Sequence, residues 1–218
     1  GTADIQSGCI RTVGAPLDRF LEDGLRPMRA VRFAAQLNFA IDTGTAAAIP
    51  HALHITAKIA VERFRDEFNK MLVSSNPLIG LRLMEQTGLL ALFLPELARC
   101  RGVEQKGFHR FDVLDHSFLV CAACPSGSGS LHIRLAGLFH DIGKPDVRQQ
   151  TGDGSYTFYR HEIVSEKLTR AIMQRLKYAN AEIEKTAHLV AQHMFHYEPS
   201  WTDAAIRRFI IRVEKDNI

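Results

Sequence analysis

The chain has 218 residues, of which 46% are hydrophobic and 23% charged, and its formal net charge is +3. This composition is ordinary for a soluble globular protein and excludes a wholly disordered chain. No apolar run approaches the roughly 18 residues needed to cross a bilayer, and no basic-then-apolar secretion signal opens the chain. Four cysteines in this length argue against a disulfide scaffold and favour a reducing, cytoplasmic compartment.

The beginning of the chain suggests a fragment. It starts at Gly1 rather than at a methionine, and residues 8–14 are predicted to form a short strand bounded by glycines. We therefore expect residues 1–17 to be the remnant of a preceding domain that contains β-structure. An ordinary N-terminus with one edge strand is the alternative.

Helical periodicity dominates the first half of the chain after this segment. A helix is expected over residues 23–38, with Asp23 at its start, where the helix dipole favours negative charge. After a turn, Thr45 is expected to cap a short helix that Pro50 interrupts or kinks. The remaining predicted helices of this half cover 57–73, 77–87 and two short pieces within 89–97.

A second helical block follows a basic, aromatic loop at residues 101–111. The chain is thus predicted to be all-α, with a short N-terminal strand, and to divide near residue 105 into two helical parts. A flexible loop is expected at 125–130 and a polar loop at 141–157. The predicted helices of the second block cover 112–124, 131–140, 160–177, 181–195 and 202–213.

Histidine and aspartate residues that could bind a metal lie in successive helices of the second block. His140 and Asp141 close one helix and are followed by Gly143, which would let the backbone turn sharply, and by Lys144. Neutral imidazoles with a carboxylate suit Mn, Fe, Co, Ni or Zn better than Ca, and the carboxylate could bridge two ions. Such a site could activate a water molecule to attack a phosphoester, with Lys144 holding a phosphate oxygen. The other candidate ligands are His116, His161, His193 and Asp203.

Each member of this set also has a simpler interpretation. His116 could be a half-buried structural histidine, His161 a helix-start residue and Asp203 an ordinary residue of a first helical turn. His193 and His196 lie three residues apart, so either could face inward. The joint pattern is more informative than its members.

Residues 112–213 resemble the HD superfamily of metal-dependent phosphohydrolases. The resemblance implies that His140, Asp141 and Lys144 act in hydrolysis of phosphomonoesters or cyclic phosphodiesters. It also implies a divalent metal, one of Mn, Ni, Co, Fe or Mg. The metal ligands implied by this resemblance are His116, His140, Asp141, His161, His193 and Asp203.

An Asp–Arg pattern marks the first long helix, where Arg26, Arg29 and Arg32 recur every three residues after Asp23. A salt-bridged surface helix is one interpretation. The functional interpretation is base reading, because cytosine and adenine each place an amino donor beside a ring-nitrogen acceptor. An aspartate can accept from the amino group while an arginine donates to the ring nitrogen. Uracil and guanine present the reverse pattern and would leave these groups unpaired.

Together these features resemble the neck of bacterial tRNA nucleotidyltransferases (CCA-adding enzymes) and their poly(A) polymerase relatives. The resemblance implies neck and body helices at 18–105, an HD domain at 106–218, and tRNA or another RNA 3′ end as partner. It implies that Asp23, Arg26 and Arg29 select CTP and ATP. It also implies that Glu62, Arg63 and Arg65 brace the base-reading helix. The segments that carry the resemblance are Glu22 to Phe33, Glu62 to Phe68, Thr12-Val13-Gly14, Arg19-Phe20 and Leu92 to Leu97.

The catalytic head of that family needs paired carboxylates for two Mg ions, and this sequence contains no Asp-x-Asp pair. We therefore expect nucleotide addition from a parent protein, with Mg at its head, and not from this chain by itself. A non-catalytic scaffold that binds tRNA and forms a homodimer, with a structural or empty HD site, is the alternative function.

Overall fold

The computed structural model describes residues 1–104, 111–152, 154–195 and 201–213. Helices dominate these residues, which confirms the predicted all-α class. The helices of the first half are α1 (Thr2–Gln6), α2 (Pro16–Glu22), α3 (Arg26–Leu37), α4 (Thr43–Thr56), α5 (Val61–Leu72), α6 (Pro77–Gln86), α7 (Leu89–Phe93) and α8 (Pro95–Ala98). Those of the second half are α9 (Val113–Ala123), α10 (Leu131–Phe139), α11 (Lys144–Val147), α12 (His161–Arg175), α13 (Asn180–Gln192) and α14 (Asp203–Val213).

Two small pairs of strands interrupt the helices. β1 (Cys9–Ile10) pairs in parallel with β2 (Ala40–Ile41), and β3 (Gln149–Gln150) pairs antiparallel with β4 (Tyr156–Thr157). β1 is shorter than the strand predicted at 8–14, because only two residues find a partner in the turn after α3. The predicted polar loop at 141–157 is wrong in part, since it contains α11 and the β3–β4 pair.

The first long helix begins later than predicted. Asp23 has extended backbone, with φ −145° and ψ 107°, and α3 begins only at Arg26. Gly24 lies between them in close contact with the end of α4. A Cβ atom on Gly24 would come within 2.8 Å of the carbonyl oxygen of Ile55, so only glycine fits this corner. The predicted helix over 23–38 was therefore wrong at its start, and Asp23 is not one of its residues.

The two prolines at helices behave differently from one another. Pro27 occupies the first turn of α3, where the missing N–H has no helical acceptor. Pro50 lies inside α4, yet that helix continues through it, so the predicted interruption is absent. Ile49, beside the proline, is fully buried, and we attribute the continuity to this packing. Asp42 rather than Thr45 caps α4, because its carboxylate accepts the Thr45 N–H at 3.0 Å.

One apolar core runs through both halves of the chain. Phe64 and Phe68 of α5 belong to the same buried cluster as Phe118 of α9 and Phe139 of α10. Burying such a side chain contributes about 1.5–3 kcal/mol. The helical halves thus share their interior. The division expected near residue 105, and most of the basic loop predicted at 101–111, fall on residues 105–110, which lie outside the described residues.

Arg134 of α10 joins the two halves from within this core. Its side chain is buried, and its guanidinium donates to the carbonyls of Leu72 and Ser74 at the end of α5, the latter at 2.6 Å. It also donates to the carbonyls of Cys124 and Pro125 after α9, at 3.0 and 2.7 Å. Carbonyls at helix C-termini lack intrahelical donors and carry the negative end of the dipole. One cation therefore satisfies two helix ends from different halves.

The turn that follows α12 makes a second connection, on the outer surface. Lys177 Nζ lies 2.6 Å from the Glu62 carboxylate, and Arg65 donates to the Lys177 carbonyl. The hydroxyl of Tyr178 donates to the side chain of Asn69. The beginning and middle of α5 are thereby held against the second half of the chain.

Replacing Arg134 with methionine should destabilise the whole chain, because four carbonyls, of which that of Leu72 is buried, lose their donor. We expect the free energy of unfolding to fall by about 3–5 kcal/mol, measured by urea denaturation. The control is Arg170→Met, which removes partly exposed ion pairs to Glu166 and Glu184 and should cost at most about 1 kcal/mol. Equal losses in the two variants would contradict the assigned role of Arg134.

Candidate functional site

Five of the predicted metal ligands come together in the second half. His116 lies in the middle of α9, while His140 and Asp141 follow the last residue of α10. His161 is the first residue of α12, and His193 follows the last residue of α13. Four helices thus deliver one imidazole each to a common point, where the Asp141 carboxylate is 2% exposed.

The two oxygens of Asp141 face two separate pairs of imidazoles. Its Oδ2 lies 3.6 Å from His116 Nε2 and 3.1 Å from His140 Nε2. Its Oδ1 lies 3.1 Å from His161 Nε2 and 3.7 Å from His193 Nε2. Within each pair the two Nε2 atoms are 3.1 Å apart. The carboxylate therefore sits between two pairs of imidazole nitrogens. Each of its oxygens forms a set of three potential ligand atoms with one of these pairs.

Backbone carbonyls fix which nitrogen of three imidazoles faces Asp141. The Nδ1 atoms of His140, His161 and His193 lie 2.9, 2.8 and 2.7 Å from the carbonyl oxygen three residues earlier in each case. An Nδ1–H that donates to a carbonyl leaves a lone pair on Nε2 in the neutral ring. Lone pairs of His161 and His193 then converge with a carboxylate oxygen, an arrangement that repels itself unless a proton or a cation lies among the three atoms.

Gly143 allows the close approach that buries this centre. Its φ is −84°, so the predicted sharp turn does not depend on a left-handed backbone. Instead, a Cβ atom on Gly143 would come within 2.7 Å of the Ser165 nitrogen and 2.8 Å of the His161 carbonyl oxygen. The Gly143 N–H donates to Ser165 Oγ at 2.9 Å. Glycine thus brings the end of α10 against the first turns of α12 and sets Asp141 beside His161.

The surroundings of Asp141 favour its ionised form. Burial would raise the pKa of its carboxyl group, but the imidazoles of His140, His161 and His193, when protonated, donate to the carboxylate and lower that pKa below its ordinary value. The ammonium of Lys144 lies 2.7 Å from Asp141 Oδ2. A buried carboxylate needs such compensating donors or a cation.

The donor set fits a divalent transition metal. Two groups of three residues have ligand atoms within 4.8 Å of one another, and both groups include Asp141. Imidazole nitrogens with carboxylate oxygens suit Mn, Fe, Co, Ni or Zn. The first group is His116, His140 and Asp141, and the second is Asp141, His161 and His193.

Asp203 is not brought into this centre. It lies exposed in the first turn of α14 and belongs to neither group of ligand atoms found among the described residues. His196, the alternative to His193, lies outside the described residues.

A cleft of about 760 Å³ opens above the centre. The cleft is lined by Lys144, by the imidazoles of His140 and His193, and by the chain from β4 into α12, Tyr156 to Glu162. Its volume lies in the range of sites for small organic ligands, about 300–1,000 Å³.

The base-reading pair expected in the first half has a different arrangement from the predicted one. Arg63 Nη2 lies 3.3 Å from the Asp23 carboxylate, whereas Arg26 pairs with Glu22 at 2.8 Å. The backbone N–H of Leu25 donates to Asp23 at 3.0 Å, and this bond, with Arg63, lowers the pKa of Asp23. Asp23 and Arg26 are separated because α3 begins after the corner at residue 24.

Arg26 and Arg29 border two cavities beside β1. Arg26 lines a cavity of about 490 Å³ together with Arg19 and Thr12. Both Arg26 and Arg29 line a neighbouring cavity of about 240 Å³. These guanidinium groups give the β1 side of α3 a positive character.

Contacts across the two halves were missed by the sequence analysis. Glu62 and Arg65 were expected to brace the base-reading helix, but they contact Lys177, 112 or more positions away. Of the three expected bracing residues, Arg63 is the one that contacts Asp23. No local pattern marks Lys177, so the sequence carries no signal for this contact.

Two models of known protein families match different parts of the chain. A model described as the probable RNA and SrmB-binding site of polymerase A matches residues 38–100. The HD domain model matches residues 113–214. Among the described residues, no helix has the length and apolarity required to span a bilayer.

Similar proteins add nucleotides to tRNA according to their names. The chain is 35% identical to the CC-adding tRNA nucleotidyltransferase of Thermus thermophilus, over 89% of this chain and 46% of the relative. It is 35% identical to the A-adding enzyme of Deinococcus radiodurans, over 97% and 50%. The structure of the Bacillus stearothermophilus CCA-adding enzyme with CTP matches with a TM-score of 0.66 and 26% identity, over 98% of this chain and 45% of that one. The chain thus spans about half the length of the curated relatives that it matches.

Replacing Asp141 with asparagine should weaken metal binding, because it removes the charge that both imidazole pairs share. We expect the affinity for Mn or Ni to fall by more than the roughly 10–100-fold that loss of an outer-shell partner costs. Calorimetric titration of metal-stripped protein would measure it. Asp146→Asn, which removes an exposed partner of Arg99, is the matched control. Identical affinities in both variants would show that Asp141 is not a ligand.

Proposed function

We propose that the chain is the C-terminal portion of a protein of the tRNA nucleotidyltransferase and poly(A) polymerase family, and that its histidine–aspartate centre hydrolyses phosphoesters. The proposed cofactor is one or two divalent ions, from Mn, Ni, Co, Fe or Mg. The proposed substrates are phosphomonoesters or cyclic phosphodiesters of nucleotides. The relatives' names concern nucleotide addition to tRNA, so hydrolysis would be a second activity.

One observation supports this proposal most directly: each oxygen of a buried carboxylate faces its own pair of imidazole nitrogens. Nδ1–H groups that donate to carbonyls prepare the facing nitrogens of His140, His161 and His193 as metal ligands. A bound divalent ion would supply Lewis-acid polarisation of the phosphoryl group and a water of lowered pKa.

The residues around the centre have separate roles in this proposal. Asp141 lies between the two imidazole pairs and contacts both. It therefore sets the distance between the two pairs. Lys144, whose ammonium lies at Asp141 Oδ2 and borders the cleft, can bind a non-bridging phosphate oxygen as a point charge. The cleft has room for a nucleotide above these groups. His140 and Asp141 would thus hold the ion that polarises the reacting phosphate, and Lys144 would neutralise part of the negative charge of that phosphate.

Hydrolysis should depend on Asp141. With Mn, Co or Ni, we expect turnover of 2′-nucleotides and 2′,3′-cyclic nucleotides by the parent chain. Asp141→Ala should lower kcat/KM to the background rate, because the two imidazole pairs lose their common ligand, whereas Asp146→Asn should keep the parent value. Phosphate release and liquid chromatography of the products would follow the reaction. Turnover that survives Asp141→Ala would place the activity elsewhere.

The second candidate function is a scaffold that binds tRNA, forms a homodimer and uses the centre only structurally. The continuous core and the Arg134 bonds favour a structural contribution from the second half in either case. Metal analysis separates the two functions. Purified chain without bound metal, and with no change in melting temperature when Mn or Ni is added, would favour the scaffold.

For the first half of the chain we propose base reading during nucleotide addition to an RNA 3′ end such as that of tRNA. The carboxylate of Asp23 is held by Arg63 and stays ionised, so it can accept from the amino group of cytosine or adenine. Arg26 and Arg29 border the two cavities beside β1 and can meet the ring nitrogen or the phosphates of CTP or ATP.

Removing the Asp23 carboxylate should change nucleotide preference rather than folding. Asp23→Ala is expected to lower the preference of the chain for CTP and ATP over UTP and GTP, because the acceptor for the amino group is lost. Competition binding of the four nucleotides would measure it. Asp18→Ala removes an exposed acid on α2 and should leave the preference unchanged. If both variants bind the four nucleotides alike, Asp23 does not read the base.

A further inference from the structure

An aromatic and basic rim borders the cleft above the Asp141 centre. We define the rim as Arg148, Tyr156, Tyr159 and Arg160. The last three line the cleft, and the guanidinium of Arg148 stacks over the Tyr156 ring at 3.6 Å from its centroid. Tyr159 is 77% exposed, and Arg160 is also exposed.

Arg160 occupies a strained backbone position directly before His161. Its φ is 61° and its ψ is 25°, in the left-handed region that glycine adopts without cost. A non-glycine residue there costs of the order of 1 kcal/mol or more, and such positions cluster at functional sites. A glycine would adopt this backbone conformation more easily, so the presence of the arginine side chain at this position costs backbone free energy.

Within the described part of the chain, the guanidinium of Arg160 has no partner. Among the residues that the structure describes, Arg160 makes neither a hydrogen bond nor an ion pair, and the Nε of Arg148 is buried without an acceptor. The two acidic residues that line the cleft have histidine neighbours and no ion pair with Arg160. Asp141 faces the imidazoles, and Glu162 lies 3.9 Å from His161 Nδ1. The rim therefore offers free positive charge beside an exposed aromatic ring.

Guanidinium groups beside exposed aromatic rings are the chemistry that binds single-stranded nucleic acid. Arginine pairs with backbone phosphates, and each base can stack on a tyrosine or an arginine plane. The rim and the metal centre share one cleft. A strand lying on the rim would therefore end at Asp141.

We propose that the rim binds a single-stranded RNA end and delivers its terminal phosphate to the Asp141 centre. Tyr159 stacks with a base, and Arg160 pairs with the phosphate that precedes the terminal one. The preferred substrate is then an oligoribonucleotide that ends in a 2′,3′-cyclic phosphate, rather than a mononucleotide. Water supplies the hydroxyl that bonds to phosphorus, and the bond between phosphorus and one ribose oxygen breaks. The remaining proton of the water goes to that oxygen, so the products are a terminal phosphomonoester and a free ribose hydroxyl. This inference rests on the proposed hydrolysis at the same centre.

The first test compares two substrates with Mn present, a cyclic-phosphate-ended tetranucleotide and a 2′,3′-cyclic mononucleotide. Tyr159→Ala and Arg160→Gln should each lower kcat/KM for the tetranucleotide roughly tenfold, a factor within the range for loss of one stacked base. Both should lower the value for the mononucleotide by a smaller factor, because the mononucleotide lacks the preceding base and phosphate that the rim binds. Lys167→Gln removes an exposed charge from the same helix, outside the cleft, and should leave both substrates unchanged.

A second variant separates the guanidinium from the backbone. Arg160→Gly relieves the left-handed strain and should keep or raise the melting temperature. It should nevertheless lose the tetranucleotide preference to the same extent as Arg160→Gln. A glycine variant that keeps the preference would show that the arginine side chain does not bind the strand.

A binding measurement without metal makes the inference independent of turnover. Fluorescence anisotropy of a labelled tetranucleotide with a 3′-phosphate should show weaker binding by the Tyr159 and Arg160 variants than by Lys167→Gln. Loss of the Arg160 charge should also reduce the salt dependence of binding. Hydrolysis of both substrates with equal efficiency in all variants would contradict the proposed role of the rim in binding the strand. The proposed hydrolysis at the Asp141 centre would still stand. Absence of all turnover, with rim-dependent binding retained, would overturn the hydrolase and leave the rim.

Discussion

A buried, ionised carboxylate needs positive charge or hydrogen-bond donors on every side, and this constraint organises the second half of the chain. Asp141 meets it with one imidazole from each of the elements α9, α10, α12 and α13 and with the ammonium of Lys144. The four helices must converge for the carboxylate to remain charged away from water. The close contact at Gly143 makes that convergence possible, because a side chain there would push α12 away.

The centre also depends on the first half of the chain, through two connections of different kinds. Arg134 lies on α10, the helix directly before His140. Its bonds to carbonyls at the end of α5 fix α10 in the shared core. Lys177 follows α12, the helix that begins at His161, and it holds the first turn of α5 from the surface. Arg63 on that same turn holds Asp23. The proposed base-reading carboxylate and the proposed hydrolytic centre are therefore linked through α5 by named contacts.

The sequence predicted the cluster of imidazoles around Asp141 better than the arrangement around Asp23, for a physical reason. His140 and Asp141 are adjacent, and the other imidazoles recur on helices whose periodicity is visible, so local pattern is sufficient. The arrangement of Asp23 depends on a contact between Gly24 and Ile55, which periodicity does not record. The start of α3, and with it the partner of Asp23, could not be predicted. The β3–β4 pair was not predicted for a related reason, because strands of two residues are too short to show an alternation of apolar and polar residues.

The position of the rim explains why a strained arginine is tolerated directly before His161, a proposed metal ligand. Arg160 and His161 are consecutive, so the turn that aims the guanidinium at the cleft also begins the helix that aims the imidazole at Asp141. His161 is held by its bond to the Phe158 carbonyl and by the close approach of Gly143. These contacts fix the backbone on both sides of residue 160 and can offset its strain. A substrate phosphate bound by Arg160 would thereby lie at a set distance from the carboxylate, which is the positioning that hydrolysis of a strand end requires.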